Sequence, residues 1–341
     1  MNHIICVSGE PVSGKSTTIR EVKRKLEEKN QKVTVLSVGE IFKELARKEG
    51  VNIEKFNQEM MKRPDIDRLI DRKTKEFGER FEKRNKENEI LIVDARLGWH
   101  ELPDAFSVRL TANEKVAGER AYQRDPDHYQ SVEEATRKTA ERKRGELIRY
   151  KQRYHVDLEK EENYNLIVDT SYATTQDISD VILQCFEADR ANQFYTKKWT
   201  SPKTLLPLQD IRETADNADI IENSIKEKGY IPSEAIEVIE VDGVKAIIEG
   251  HHRNFSAARV GKTLVPYEVL AKDDETLKDY GKSTARERME SLKTYELMDH
   301  ECLFDKDGKK FSYTDIYPHI YEPKFLKKLK EKPQQELAME R

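Results

Sequence analysis

At 341 residues the chain exceeds the common size of one domain, which predicts two, with ample length to bury a core. Apolar residues make up 36%, charged residues 37% and aromatics 8%, a balance that excludes wholesale disorder and predicts helices with heavily charged outer faces. Lys+Arg 61 against Asp+Glu 65 leaves a formal charge of -4, so the composition carries neither a nucleic-acid-binding excess nor an acidic tail.

Residues 4–8 (IICVS) form a β-branched run of the kind found in a buried parallel strand. Directly after it stands Gly9-Glu10-Pro11-Val12-Ser13-Gly14-Lys15-Ser16, a complete G-x-x-x-x-G-K-[ST]. Ile19, Val22 and Leu26 then mark a helix over 16–30. In that strand–loop–helix context, backbone N–H groups turn inward around a polyphosphate. Gly9, Gly14, Lys15, Ser16 and Thr17 are therefore expected to bind ATP, with Lys15 reaching the β- and γ-phosphates and Ser16 ligating Mg2+.

Further strands are predicted at 33–36, 90–93, 106–110 and 165–168. Helices are expected at 40–48, 53–61 and 66–81, in a segment ending near Arg124, at 132–153, and in a segment ending near Phe186. Residues 1–188 thus read as one α/β unit with a doubly wound parallel sheet. The stretch 189–202 lacks apolar periodicity and ends at a proline, so a linker is expected there.

A second, smaller α+β domain is expected over 203–272. It opens with a short strand at 205–208 and a helix at 220–228 that stops at Gly229. Two alternating runs, 236–241 and 244–248, flank Asp242-Gly243, a strong hairpin signal. Gly250-His251-His252-Arg253-Asn254 then begins a helix through Val260, and 264–270 reads as a closing strand. The tail, 273–341, is charged and helix-prone, and Phe304, Phe311, Tyr313, Tyr317 and Tyr321 are expected to pack it as a helical appendage.

No apolar run approaches the ~20 residues of a membrane helix, and MNHIICVSGEP is interrupted too soon for a secretory signal. Cys6, Cys185 and Cys302 are far apart, odd in number and without metal-ligand spacing, so a reducing, cytoplasmic setting is expected.

The N-terminal unit resembles the cytidylate kinases of the short, archaeal-type family. The likeness is carried by Ser37-Val-Gly39-Glu40-Ile-Phe42-Lys43-Glu-Leu-Ala46, Asp65-Ile-Asp67-Arg68-Leu-Ile-Asp71-Arg72, Asp94-Ala-Arg96-Leu-Gly-Trp99, Arg149-Tyr150-Lys-Gln-Arg-Tyr154 and Asp169-Thr-Ser171. It implies transfer of the ATP γ-phosphoryl group to CMP or dCMP, with Arg96 gripping the acceptor phosphate at the carboxyl end of a strand. Arg120, Arg124, Arg142 and Arg149 flank Asp125-Pro-Asp-His-Tyr-Gln130, a stretch suited to a lid; Arg124 and Arg142 are expected to act in catalysis by neutralising the moving charge. Asp94 is a candidate to orient metal-bound water or a sugar hydroxyl, with a structural cap as the other reading. Asp67 and Asp71, four apart and each followed by Arg, are weaker candidates that intrahelical ion pairs explain. Lys43 stands where the family often carries Arg, which keeps the charge and loses the bidentate grip.

The second domain resembles the ParB/sulfiredoxin-like superfamily over 205–271, through Ser224-Ile-Lys-Glu-Lys-Gly229 and the stretch leading to Ala258. Glu249-Gly250-His251-His252-Arg253 is most similar to the motif of free serine kinases, and the absence of a cysteine from it excludes a sulfiredoxin reaction. A glycine turn that opens a helix with His, His and Arg suits a polyphosphate. By resemblance Gly250, His251, His252 and Arg253 bind nucleotide, Glu249 lies near Mg2+, L-serine is the acceptor, and either Glu213 or Asp216 is the general base. The competing reading is a CTP- or ATP-binding regulatory or DNA-associated ParB-like protein with a fused nucleotide kinase.

Overall fold

In the computed structural model, residues 3–51, 64–84, 88–208, 218–279, 281–291, 303–304 and 310–311 are described. The helix expected at 53–61, the bases Glu213 and Asp216, and Tyr313, Tyr317 and Tyr321 lie outside them. The chain divides into two compact units, Met1–Lys197 and Lys198–Arg341.

In the first unit five parallel strands, β1 (Ile4–Gly9), β2 (Lys32–Ser37), β3 (Glu89–Asp94), β4 (Phe106–Thr111) and β5 (Leu166–Asp169), lie in the order β2-β3-β1-β4-β5. All of β1 is buried, as its unbroken apolar run requires of a strand covered on both faces. Helices α1 (Lys15–Glu28) and α2 (Val38–Lys48) come first, then α3 (Pro64–Arg84) and the one-turn α4 (Gly98–Glu101). They are followed by α5 (Glu114–Arg124), α6 (Val132–Tyr154) and α7 (Thr175–Arg190). On one face Ile4, Cys6, Leu91 and Val93 pack with Phe77 and Phe81 of α3. On the other α1 packs against α7, and the Phe106 and Phe186 rings lie 5.5 Å apart. The strand order reverses about β1, which leaves a crevice at the carboxyl ends of β1, β3 and β4.

The two helices that follow β4, α5 and α6, pack against each other. Ser131 caps α6 by accepting from the Glu134 N–H at 3.3 Å, and Glu134 returns the favour by accepting from the Gln130 N–H at 2.6 Å. The pair meets at Gly118, where a Cβ would lie 2.6 Å from Thr136 Cα, so only glycine permits this approach.

The second unit is a mixed sheet. Strands β6 (Lys198–Thr200), β7 (Leu205–Leu206), β8 (Ile236–Val241), β9 (Val244–Glu249) and β10 (Val265–Lys272) take the order β6-β10-β8-β9-β7. Helices α8 (Ala218–Lys228), α9 (His251–Arg259) and α10 (Ala285–Ser291) accompany it. The β8–β9 turn has φ 50° at Asp242 and 81° at Gly243, the backbone that an Asp-Gly pair favours. Arg286 of α10 clasps that turn, donating to Asp242 at 2.8 Å and to Asp274 at 3.1 Å.

The division between the two units, at Lys197/Lys198, falls inside the stretch 189–202. α7 runs into that stretch as far as Arg190, and Trp199 of β6, 1% exposed, is a core residue paired through β6 to β10. Three residues are too few for periodicity to reveal such a strand. One expectation is corrected: the tail is not uniformly helical, since among its described residues α10 packs on β8 and β10, and two short strands, β11 (Leu303–Phe304) and β12 (Lys310–Phe311), pair antiparallel. Among the described residues no helix is long and apolar enough to cross a membrane.

Candidate functional site

The motif glycines and Lys15 come together where β1 turns into α1. Gly9 ends β1, and a Cβ there would sit 2.6 Å from Ser13 Oγ. Gly14 has φ 81°, a left-handed backbone that glycine adopts freely and that starts α1 without a side-chain cap. Thr17 and Thr18 N–H donate back to Gly14 C=O at 3.0 Å, which starts the helix directly after the loop; a helix N-terminus of this kind is the arrangement that receives phosphate oxygens. The Thr170 hydroxyl fastens the loop from behind by donating to Ser13 C=O at 2.9 Å.

Lys15 forms an ion pair with Asp94, the last residue of β3, and Asp94 also accepts from the Ser37 hydroxyl at 3.0 Å. Ser16 and Thr17 are exposed at the first turn of α1. Among the described residues no cluster of three or more His, Cys, Asp or Glu could hold a metal. One carboxylate, one hydroxyl, phosphate oxygens and waters are nevertheless the usual donors to Mg2+, and Asp94 with Ser16 fits that pattern.

Arg96, two residues beyond β3, is 2.7 Å from Glu146 of α6, and Arg142 donates to the same carboxylate at 3.1 Å. Of the expected arginines these two are therefore brought together. Arg120 is turned inward instead, donating to Thr170 C=O at 2.6 Å and Ser171 C=O at 3.2 Å, with burial lowering its pKa. It thereby braces Thr170, whose hydroxyl in turn holds Ser13 of the loop. Arg124 ends α5, exposed and without an ion pair among the described residues.

Asp71 accepts from the Tyr154 hydroxyl at 2.6 Å; burial raises its pKa. Arg149 stacks over the Tyr150 ring at 5.5 Å. The side chains of Lys43 and Asp67 are outside the described residues.

In the second unit a cavity of about 450 Å³ opens at the Gly250 turn. Its polar side is Glu249, His252 and Arg253, and its apolar side Ile221, Ile225 and Tyr230. Gly250 has φ 99°, a backbone that strains any residue with a Cβ, and a Cβ would also lie 3.2 Å from the Arg253 guanidinium. Arg253 donates to Ala235 C=O at 3.0 Å, and Glu249 accepts from the Gly250 N–H at 3.1 Å. His251 is 5% exposed, and its Nε2 accepts from the Leu208 N–H at 3.2 Å. Burial, with the neighbouring His252, pushes its pKa down to about 4, so it is a neutral ring that anchors Leu208.

A family model described as AAA domain matches residues 5–144. Among curated proteins, a cytidylate kinase of Pyrobaculum neutrophilum is 34% identical over 175 residues, 51% of this chain and 87% of that one. A cytidylate kinase of Archaeoglobus fulgidus is 30% identical over 186 residues, 54% of this chain and 96% of that one. An S-adenosylmethionine-dependent nucleotide dehydratase of Lacinutrix mariniflava is 30% identical over 189 residues, 55% of this chain and 36% of that one.

Proposed function

Because this chain belongs, through its N-terminal half, to the cytidylate kinase family, we propose that its first unit moves the γ-phosphoryl group of ATP to CMP or dCMP. The observation that carries the reading is Lys15 in the first turn of α1, directly after the Gly14 turn, with Arg96 lining the crevice at the strand carboxyl ends and Arg142 sharing its Glu146 carboxylate. Two polyanions held end to end need cations from several directions, and phosphoryl transfer needs little else from the protein. In this reading the loop amides and Lys15 hold the triphosphate, and Arg96 holds the acceptor phosphate. Asp94 exchanges its ion pair with Lys15 for the metal side of the site. Ser16 and Asp94 would hold Mg2+, which when bound would neutralise phosphate charge.

A Lys15→Ala variant is expected to lose at least about a hundredfold in turnover with ATP and CMP, measured by coupled assay on folded protein. Undiminished turnover sinks the assignment. The acceptor is identified by offering CMP, dCMP, UMP and AMP in parallel.

The cavity at the Gly250 turn supports a second phosphate-binding site in the other unit, read as a free serine kinase-like centre for nucleotide and L-serine. Arg253 and the helix amides suit the phosphates, with Glu249 toward the metal and Glu213 or Asp216 as base. Phosphoserine formation that vanishes in Arg253→Ala while CMP phosphorylation survives supports it. Nucleotide binding without phosphorylated product supports the regulatory reading.

A further inference from the structure

The crevice beside the phosphate loop is closed by the chain's own charges. Glu10, Arg96, Arg109, Lys143 and Glu146 line it, and about 30 Å³ remains free, space for a water or two. Glu10 is the second residue of the motif, a position whose side chain the motif leaves open. Its carboxylate accepts from Arg109 of β4 at 3.0 Å and pairs with Lys143 of α6 at 3.0 Å. Glu159 faces the same two cations at 3.6 and 3.5 Å. One turn further along α6, Glu146 holds Arg96 at 2.7 Å.

Three cations from three different elements thus converge at the carboxyl ends of β1, β3 and β4. Glu10, Arg109 and Lys143 have side chains only 11%, 12% and 26% exposed. Gathering partly buried cations is costly unless an anion sits among them. Glu10, Glu146 and the more exposed Glu159 supply that anion here, each as a single carboxylate charge. A phosphomonoester carries close to two charges and three acceptor oxygens, and satisfies such a set better.

We propose that Arg109 and Lys143 complete, with Arg96, an anion-binding set for the phosphoryl group of the acceptor, and that Glu10 and Glu146 are internal stand-ins which that group displaces. The identity of the anion rests on the kinase reading above. Because Lys143 and Glu146 share α6, both exchanges act on the same helix.

The test uses the full chain. Wild type, Glu10→Gln, Lys143→Ala and Lys143→Arg are compared by KM for CMP and kcat at saturating ATP, and by calorimetric titration with inorganic phosphate. Removing the internal anion is expected to lower KM and the phosphate Kd about threefold or more in Glu10→Gln, with kcat little changed. Lys143→Ala is expected to raise both about tenfold, and Lys143→Arg to restore most of the loss. A Glu10 of purely structural role lowers the melting temperature and leaves KM and the phosphate Kd alone, which overturns the proposal. If wild type phosphorylates no monophosphate, the kinase reading fails, and the phosphate titration still decides: tighter binding in Glu10→Gln upholds the anion set, unchanged binding overturns it. Should Glu10→Gln not fold, an unchanged phosphate Kd in Lys143→Ala overturns it equally.

Discussion

Val12 stands in the phosphate loop with φ 60°, a left-handed backbone that a β-branched residue adopts only under strain. Val12→Gly is expected to stabilise the first unit by up to about 1 kcal/mol, since relief of the backbone exceeds glycine's extra entropy loss. Thermal melting checks it, and a lower melting temperature refutes the strain. In the second unit His251 is the pH-sensitive residue. Folded, it gives up its proton at about 4; unfolded, near the ordinary 6.5. Between those values the unfolded chain binds more protons, so the stability due to the neutral ring is whole above pH 6.5 and fades as pH falls toward 4. Its ceiling is about 3 kcal/mol. Melting of the full chain at pH 7.5 and 5 is expected to show a steep loss that His251→Gln flattens; parallel curves for the two proteins count against it. At this scale the sequence displays Lys15 and Ser16 plainly, because the motif names them. It hides Val12 and Glu10, because the motif leaves those positions open and only coordinates reveal a φ angle or a partner 99 residues away.

Among elements, the close crossing of α5 and α6 matters most, because α6 carries Arg142, Lys143, Glu146 and Arg149. Gly118→Ala would drive a methyl into Thr136 and push α6 off its seat. A loss of about 1–3 kcal/mol is expected, with a higher KM for the acceptor, measured by denaturant melts and steady-state kinetics. Unchanged stability and KM would show that the pair has slack. Gly118 sits inside a helical pattern where nothing in the sequence distinguishes a packing glycine from a tolerated one. The elements themselves were largely legible. The run 4–8, the alternation around Asp242-Gly243 and the charged helix from 132 all occur where periodicity and turn chemistry point. The misses are the elements too short for a period, β6 and α4, and the inward turn of Arg120, since an arginine on a helix reads the same whether it meets water or a carbonyl.

At the scale of the molecule, most of the length of each cytidylate kinase relative aligns within about half of this chain. Residues 1–197, expressed alone, are therefore expected to fold and to keep kcat/KM for CMP within about threefold of the full chain. A collapse of activity would show that the second unit completes the site. The first unit also contains Cys6, in the central strand, and Cys185, on α7, both buried and outside any disulfide. Burial drives the Cys6 thiol far above its usual pKa, so it stays protonated and inert while the sheet is closed. An alkylating reagent meets either sulfur only when that unit opens. The rate at which those two sites take up label is thus a clock for opening, wound into the first strand and the last helix of the kinase half.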